Sequence, residues 1–309
     1  MKYGHVAGID RPVARMVMGS MFYSLQNIDL CCSMLDDYVS LGGNCIDTAA
    51  IYYGGESEKA VGEWMRQREV RDQIILIAKG AHHDAHGPRV NPTEIERDLT
   101  HSLERLQTDY ADVYILHRDD PGYPVGEIVE CLNEHLRAGR IRAFGGSNWT
   151  VERLQAANDY AREHRLVGFA ASSPNFSLAI PNVPRWPGCV SVSSSDRDWY
   201  TREQFPLFAW SSQASGFFSG KFREDAPDNP EMTRVWYSKD NFERLRRANE
   251  LAVKRGVTAI EVAFAYVLCQ PFPTFALVGP HSIEETHSTA SGLELDLAPQ
   301  EVAWLNLEA

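Results

Sequence analysis

Four polar side chains between Asp47 and His117 stand where chemistry can be done with them. Asp47 ends the apolar run Asn44-Cys45-Ile46, and Tyr52 follows shortly after it. Lys79 ends Ile75-Leu76-Ile77-Ala78, and His117 ends Val113-Tyr114-Ile115-Leu116. A charge that closes an apolar run is costly to bury unless it is paired, so Lys79 calls for a carboxylate, and Asp47 is the natural one. An ammonium beside a phenol favours the phenolate. This pairing is expected to lower the Tyr52 pKa toward working pH, as proton transfer to an alkoxide requires. His117 then serves to orient or polarise a carbonyl. Singly, each residue has an ordinary reading as a structural ion pair, a core group or a rim group. It is the set of four that points to a site.

The elements that must position them alternate in type. Short β-rich runs at 16–18, 44–47, 74–79, 113–117, 141–145, 168–172, 206–210 and 275–278 are predicted strands. Stretches of helical period lie at 29–41, 56–66, 93–106, 126–137, 151–164, 242–255, 258–269 and 282–291. Thr258 with Glu261 reads as a capping box, and Gly42, Gly139 and Gly256 as helix stops. The alternation predicts a parallel sheet, and eight βα units predict an α/β fold of the (β/α)8 TIM barrel type, occupying 1–309 as one domain. Long loops at its C-terminal face are expected from 181–195 and 222–238, and a strand pair turning near Asp10-Arg11-Pro12 is expected to close the barrel floor. Strand-end residues then converge on one face. The competing open doubly wound sheet is weakened by the lack of G-x-G-x-x-G after the first strand.

A chain of 309 residues with 44% hydrophobic content buries a large core, and its formal net charge of -12 argues against nucleic acid or an anionic membrane surface as partner. A small-molecule substrate is expected instead. No apolar run is long enough to span a bilayer, and residues 1–10 lack a signal-peptide pattern, so a cytoplasmic location is expected. The six cysteines, without C-x-x-C spacing, read as reduced and buried, with no disulfide framework and no zinc site.

The stretch Gly43-Asn44-Cys45-Ile46-Asp47-Thr48-Ala49-Ala50-Ile51-Tyr52 resembles the G-x-N-x-x-D-T-A-x-x-Y signature of the aldo-keto reductase family, followed by Gly54-Gly55-Glu56-Ser57-Glu58. Lys79, Leu116-His117-Arg118 and Gly139-Arg140-Ile141-Arg142-Ala143-Phe144-Gly145-Gly146-Ser147-Asn148 follow in the family's order, so the resemblance covers nearly the whole chain. It implies that Asp47, Tyr52, Lys79 and His117 are the catalytic tetrad, Tyr53 being excluded from that role by its spacing from Asp47. It implies an NADP(H) or NAD(H) cofactor held by Ser147 and Asn148 at the carboxamide, with Trp210 stacked on the ring. Ser211, Gln213 and Gly216 lie in the loop to Lys221 that is expected to wrap the pyrophosphate. Ser20, Met21 and Asp47 join this cofactor set, as does Ser173, which stands where the family usually has glutamine.

Gly279, His281 and Glu285 align with the region that meets the adenosine 2′-phosphate. A carboxylate at Glu285 repels a 2′-phosphate and can accept from a ribose diol, whereas His281, Lys221 and Arg223 supply positive charge, so the preference between the two cofactors stays open. Tyr23, Tyr53, His82 and Trp149 are candidate substrate-pocket residues, and Trp186, Trp236 and Tyr237 are candidate walls. The implied activity is interconversion of an aldehyde or ketone, with a sugar-like substrate as a candidate, and an alcohol by hydride transfer. Two other classes are weighed: a nicotinamide-sensing regulatory subunit with vestigial chemistry, and a metal-dependent hydrolase built on His82, His83, Asp84 and His86. That cluster matches no specific metal spacing, and no metal ligand is assigned.

Overall fold

In the computed structural model, which describes residues 1–308, the β-rich runs form a closed barrel of eight parallel strands. They are β3 (Met16–Gly19), β4 (Cys45–Asp47), β5 (Ile75–Gly80), β6 (Ala111–Leu116), β7 (Ile141–Ser147), β8 (Ala171–Ser173), β9 (Leu207–Ala209) and β10 (Thr274–Val278). β10 pairs back onto β3 with Ala276 opposite Met16, closing the ring. All eight predicted strands are present. β8 begins later than 168 because Phe169 gives its N–H to the Asn158 side chain instead.

Alternation sorts the side chains. Val17, Cys45, Ile75, Ile77, Val113, Ile115, Ala143, Ala171, Phe208, Phe275 and Leu277 fill the barrel interior. The intervening residues, such as Met16, Ile46, Leu76, Tyr114 and Phe144, pack outward against the helices. Extending the inward register by two positions, or by four from Ala143, gives Asp47, Lys79, His117, Ser147, Ser173 and Trp210 at the carboxyl ends. The barrel thus sets the site by parity alone.

The floor is closed by β1 (Tyr3–Gly4) paired antiparallel with β2 (Val13–Ala14), the predicted strand pair. Its chain bends at Ala7-Gly8 as well as near Arg11, and Val6, Ile9 and Val13 plug the interior from below. Asn44 ties this floor to the barrel, accepting from the Ala14 N–H at 2.9 Å and donating to the Pro12 carbonyl at 2.8 Å. Gly43 is required by the Tyr38 ring, which a Cβ would meet at 2.2 Å.

The predicted helices appear as α1 (Ile28–Ser40), α2 (Glu56–Arg68), α3 (Pro92–Leu106), α4 (Val125–Arg137), α5 (Val151–Glu163), α8 (Lys239–Arg255), α9 (Ala259–Leu268) and α10 (Ile283–Ser291). Three more were not expected: α6 (Ser194–Glu203), α7 (Pro230–Trp236) and α11 (Pro299–Leu305). α6 begins at the very end of one predicted loop, and α7 lies inside the other. Four cysteines are buried as expected, while Cys189 and Cys269 are half-exposed; all six are free thiols. Among the described residues, no helix is long and apolar enough to cross a membrane.

Candidate active site

Lys79 and Asp47 form an ion pair at the end of β5 and β4, each side chain 3% exposed. Burial pulls the Lys79 ammonium down, but Asp47 and Tyr52 outweigh it and hold it above its ordinary value. The pair therefore stays charged. Tyr52 lies one turn beyond β4, its ring centroid 5.2 Å from Lys79 Nζ and 5.8 Å from the His117 ring, edge-on. The four expected residues are thus one cluster.

One expectation about them is corrected. Desolvation raises the Tyr52 pKa above the ordinary phenol value, and the opposing pull of Lys79 does not reverse it. Tyr52 is accordingly a protonated phenol at neutral pH, with an ammonium in place to receive the charge when the proton leaves. His117 is pushed well below its ordinary value by burial, then by Lys79, Arg118, His82 and His83. It is a neutral imidazole, and its Nδ1 is buried without a partner.

Tyr53, by contrast, is 64% exposed and sits at φ 48°, so the chain turns between the two tyrosines. His82 reaches the cluster, its ring 4.9 Å from that of His117. Its Nδ1 bonds the His83 carbonyl, and burial pushes its pKa down to about 4. Tyr23 is buried with its hydroxyl unpartnered. Trp149 is not a pocket wall: it is buried against Phe169, with its indole N–H on the Arg118 carbonyl at 3.1 Å. Trp236 is likewise core, and Tyr237 packs on Phe242. Asp84, proposed beside the histidines as a metal ligand, faces Arg89 at 3.7 Å and accepts the His86 N–H. No cluster of three or more histidine, cysteine or acidic groups suited to a metal occurs among the described residues.

The other side of the barrel mouth carries the expected cofactor residues. Ser147 donates to the Ser173 carbonyl at 2.7 Å, and Asn148 donates to Ser147 Oγ and the His117 carbonyl. Asn148 also accepts from the Val190 N–H, linking β7 to the long loop. Ser20 bonds the Asp47 carbonyl and Ser57, so its hydroxyl is committed to the scaffold, while Met21 is half-exposed. Trp210 directly follows β9, with its indole N–H buried and unpartnered.

Beyond Trp210, the backbone takes up positive φ at Ser211, Ala214, Ser215 and Gly216, folding into tight turns in which the Ala214 and Gly216 N–H groups donate to the Ser211 and Gln213 carbonyls. Gln213 reaches Thr289 at 3.4 Å, and Lys221 is exposed at the end of this loop. At the last strand, exposed Gly279 leads to His281, whose ring packs on Phe22. Glu285 accepts the His281 N–H at 2.8 Å while Ser282 caps its own N–H, which seats the carboxylate at the α10 N-terminus.

Two residues escaped the sequence reading. Arg185, in the loop after β8, donates to Ser215 Oγ at 2.8 Å and Ser211 Oγ at 3.3 Å, pairs with Glu231 at 2.9 Å and stacks on Trp186. Trp186 in turn lies 5.8 Å from Trp210. Arg118 is buried beside His117. The first gave no signal beyond a basic residue in a long loop. The second was visible in Leu116-His117-Arg118 but carried no assigned task.

The model of the aldo/keto reductase family matches residues 15–306. The chain is 25% identical over 319 residues to the uncharacterized oxidoreductase YrpG of Bacillus subtilis, covering 99% of this chain and 95% of that one. It is 29% identical to norsolorinic acid reductase B of Dothistroma septosporum, covering 87% and 69% of the two chains. A solved structure of an aldo/keto reductase from Klebsiella pneumoniae in complex with NADP and acetate superposes with a TM-score of 0.72 at 24% identity, covering 97% of this chain and 93% of that one. The thermostable aldo-keto reductase Tm1743, with inhibitor epalrestat, gives 0.78 at 19%, each chain covered in full.

Proposed function

The chain belongs to the aldo/keto reductase family, and from that premise we propose that it moves hydride between NADP(H) or NAD(H) and an aldehyde or ketone, with Tyr52 as the proton donor. The observation that carries the reading is the buried Asp47–Lys79 pair facing a protonated Tyr52 beside a neutral His117. The residues at the mouth suit a dinucleotide: the tight loop from Ser211 to Gly216, with its serine hydroxyls and the Arg185 guanidinium on them, is a place for a pyrophosphate, and the indole face of Trp210 suits a planar ring. A reduced nicotinamide, when bound, supplies the hydride.

The chain's own part is electrostatic. Neutral His117 donates a hydrogen bond to the carbonyl oxygen and polarises it without carrying charge into the site. Tyr52 passes its proton to that oxygen as negative charge builds there, and Lys79 stabilises the phenolate left behind. Asp47 keeps Lys79 charged and pointed at the phenol. Polar and aromatic loop residues fit a small hydroxylated, sugar-like substrate, and the reductase reading needs no metal ligand. Replacing Tyr52 by Phe is expected to leave cofactor affinity near native while carbonyl turnover falls by about 10²–10⁴. Turnover retained in full removes Tyr52 from the reaction.

A further inference from the structure

A buried cation beside the tetrad has no counter-charge. Arg118 is 7% exposed at the carboxyl end of β6, and Nη1 donates to the His117 carbonyl at 2.9 Å. Its Nε is sealed from solvent without an acceptor. Among the described residues Nη2 has no acceptor either. The unused donors are therefore Nε and Nη2, two parallel N–H groups with the spacing of a planar carboxylate's oxygens, of which Nη2 is the one a ligand reaches first. Arg89, on the loop after β5, and Arg153, in the first turn of α5, each meet a carboxylate, Asp98 at 2.5 Å and Asp119 at 3.1 Å. The acidic groups near enough to bear on Arg118 are only the Cys189 thiol and the Tyr52 phenol.

Its place is on the substrate side. Its charge is felt by His117, His82 and His83, the groups that line the mouth opposite Trp210. The loop after β8 passes over it at Gly188, where a Cβ would lie 3.8 Å from Arg118 Cδ. The loop is packed on the Cδ and Nε side of the guanidinium, so Nη2 is the donor left accessible. A buried guanidinium with unmet donors is costly on its own, and an anion that fills the edge relieves that cost.

We propose that Arg118 receives a carboxylate carried by the substrate, so that the carbonyl compound this chain turns over is an oxo-acid or an aldehyde acid. The carbonyl oxygen then meets Tyr52 and His117 while the far end of the same molecule is fixed by the guanidinium. This deepens the reductase reading and rests on it. A hydroxylated, sugar-like acid satisfies both.

The test compares two aldehydes of the same shape, 4-carboxybenzaldehyde and 4-formylbenzamide, with the full chain and each reduced nicotinamide cofactor. The acid is expected to be favoured in kcat/KM by about 10- to 100-fold, mostly through KM. Arg118→Met brings the ratio close to one, and Arg118→Lys keeps part of the preference. Equal kcat/KM for acid and amide in the native chain overturns the carboxylate site and leaves the reductase reading standing. A ratio unchanged in Arg118→Met does the same. Should neither aldehyde turn over with either cofactor, the reductase reading falls, and calorimetric titration with benzoate against benzamide decides the site alone. Benzoate binding that Arg118→Met abolishes supports it; no benzoate binding by the native chain overturns it.

Discussion

The two sides of the barrel mouth are built by different means. Around β4, β5 and β6 the working groups are side chains at the ends of regular strands, buried, with Lys79 paired to Asp47 on the neighbouring strand, and fixed by inward parity. Around β9 and β10 they sit in tight turns with left-handed residues, latched by contacts from distant loops. The first side is rigid because breaking its pair strands a charge in a dry interior. The second is held by contacts near solvent, any one of which can be exchanged cheaply. Chemistry that needs a charge placed within a hydrogen bond of the reacting atom falls on the first side, and a large ligand that must enter and leave falls on the second.

The contrast is broken most severely at Lys79. Lys79→Met leaves Asp47 buried and uncompensated, at a cost on the order of 3–5 kcal/mol, and removes the charge that stabilises the phenolate. Denaturant unfolding should show that loss, and single-turnover reduction should fall by at least about 10². A variant as stable and active as the native chain dissolves the distinction between the two sides.

That difference also decided what the sequence could tell. Strand-end position and the cost of a buried charge made Asp47, Lys79 and His117 legible as a set rather than singly, and the resemblance picked Tyr52 over Tyr53. The Tyr52 proton went the other way because the pull of Lys79 is read off the chain but the burial opposing it is a property of the closed barrel. Arg185 was illegible since its partners Ser211 and Ser215 lie far along the chain and meet it only through loop packing. Trp149 was misplaced because its neighbour Phe169 and the Arg118 carbonyl draw it behind β7. Helix α6 buries only Trp199 and Tyr200, too few apolar residues to show a period, although the Ser193–Asp196 capping box marked its start. The Asn229-Pro230 cap marked α7 in the same way.

A pH profile sharpens the first side. With Tyr52 raised and His117 lowered, kcat/KM for reduction stays flat across neutral pH, with no break near the ordinary histidine value of about 6.5. It falls about tenfold per pH unit only once the alkaline range deprotonates the phenol. Oxidation, which needs the phenolate, climbs over that same range. A break near 6.5 in the reduction profile would assign the proton to a histidine and sink the role given to Tyr52.

On the second side the expected effects are smaller. Arg185→Met removes a cation that bridges the two hydroxyls of the positive-φ loop and also frees Glu231. A weakening of dinucleotide affinity on the order of tenfold, about 1.4 kcal/mol, is expected by tryptophan quenching, since Trp186 and Trp210 both lie within reach of that loop. Unchanged affinity would leave the loop after β8 with no part in holding the cofactor.

The smallest effect separates the two cofactors. Glu285 holds a negative charge at the N-terminus of α10, where unpaired N–H groups would otherwise favour a phosphate. Glu285→Gln keeps an oxygen to accept the His281 N–H but removes the charge, so affinity for NADPH relative to NADH should rise by roughly three- to fivefold, the modest gain expected at an exposed, salt-screened position. The same change surrenders a favourable charge–dipole contact, about 0.3–1 kcal/mol, so stability should drop slightly as selectivity shifts. If the ratio of the two affinities stays fixed while stability drops, Glu285 is a helix cap alone and cofactor choice lies with His281, Lys221 and Arg223. A rise in the ratio that shrinks with added salt places the discrimination at this carboxylate, and shows one side chain serving both the helix and the ligand.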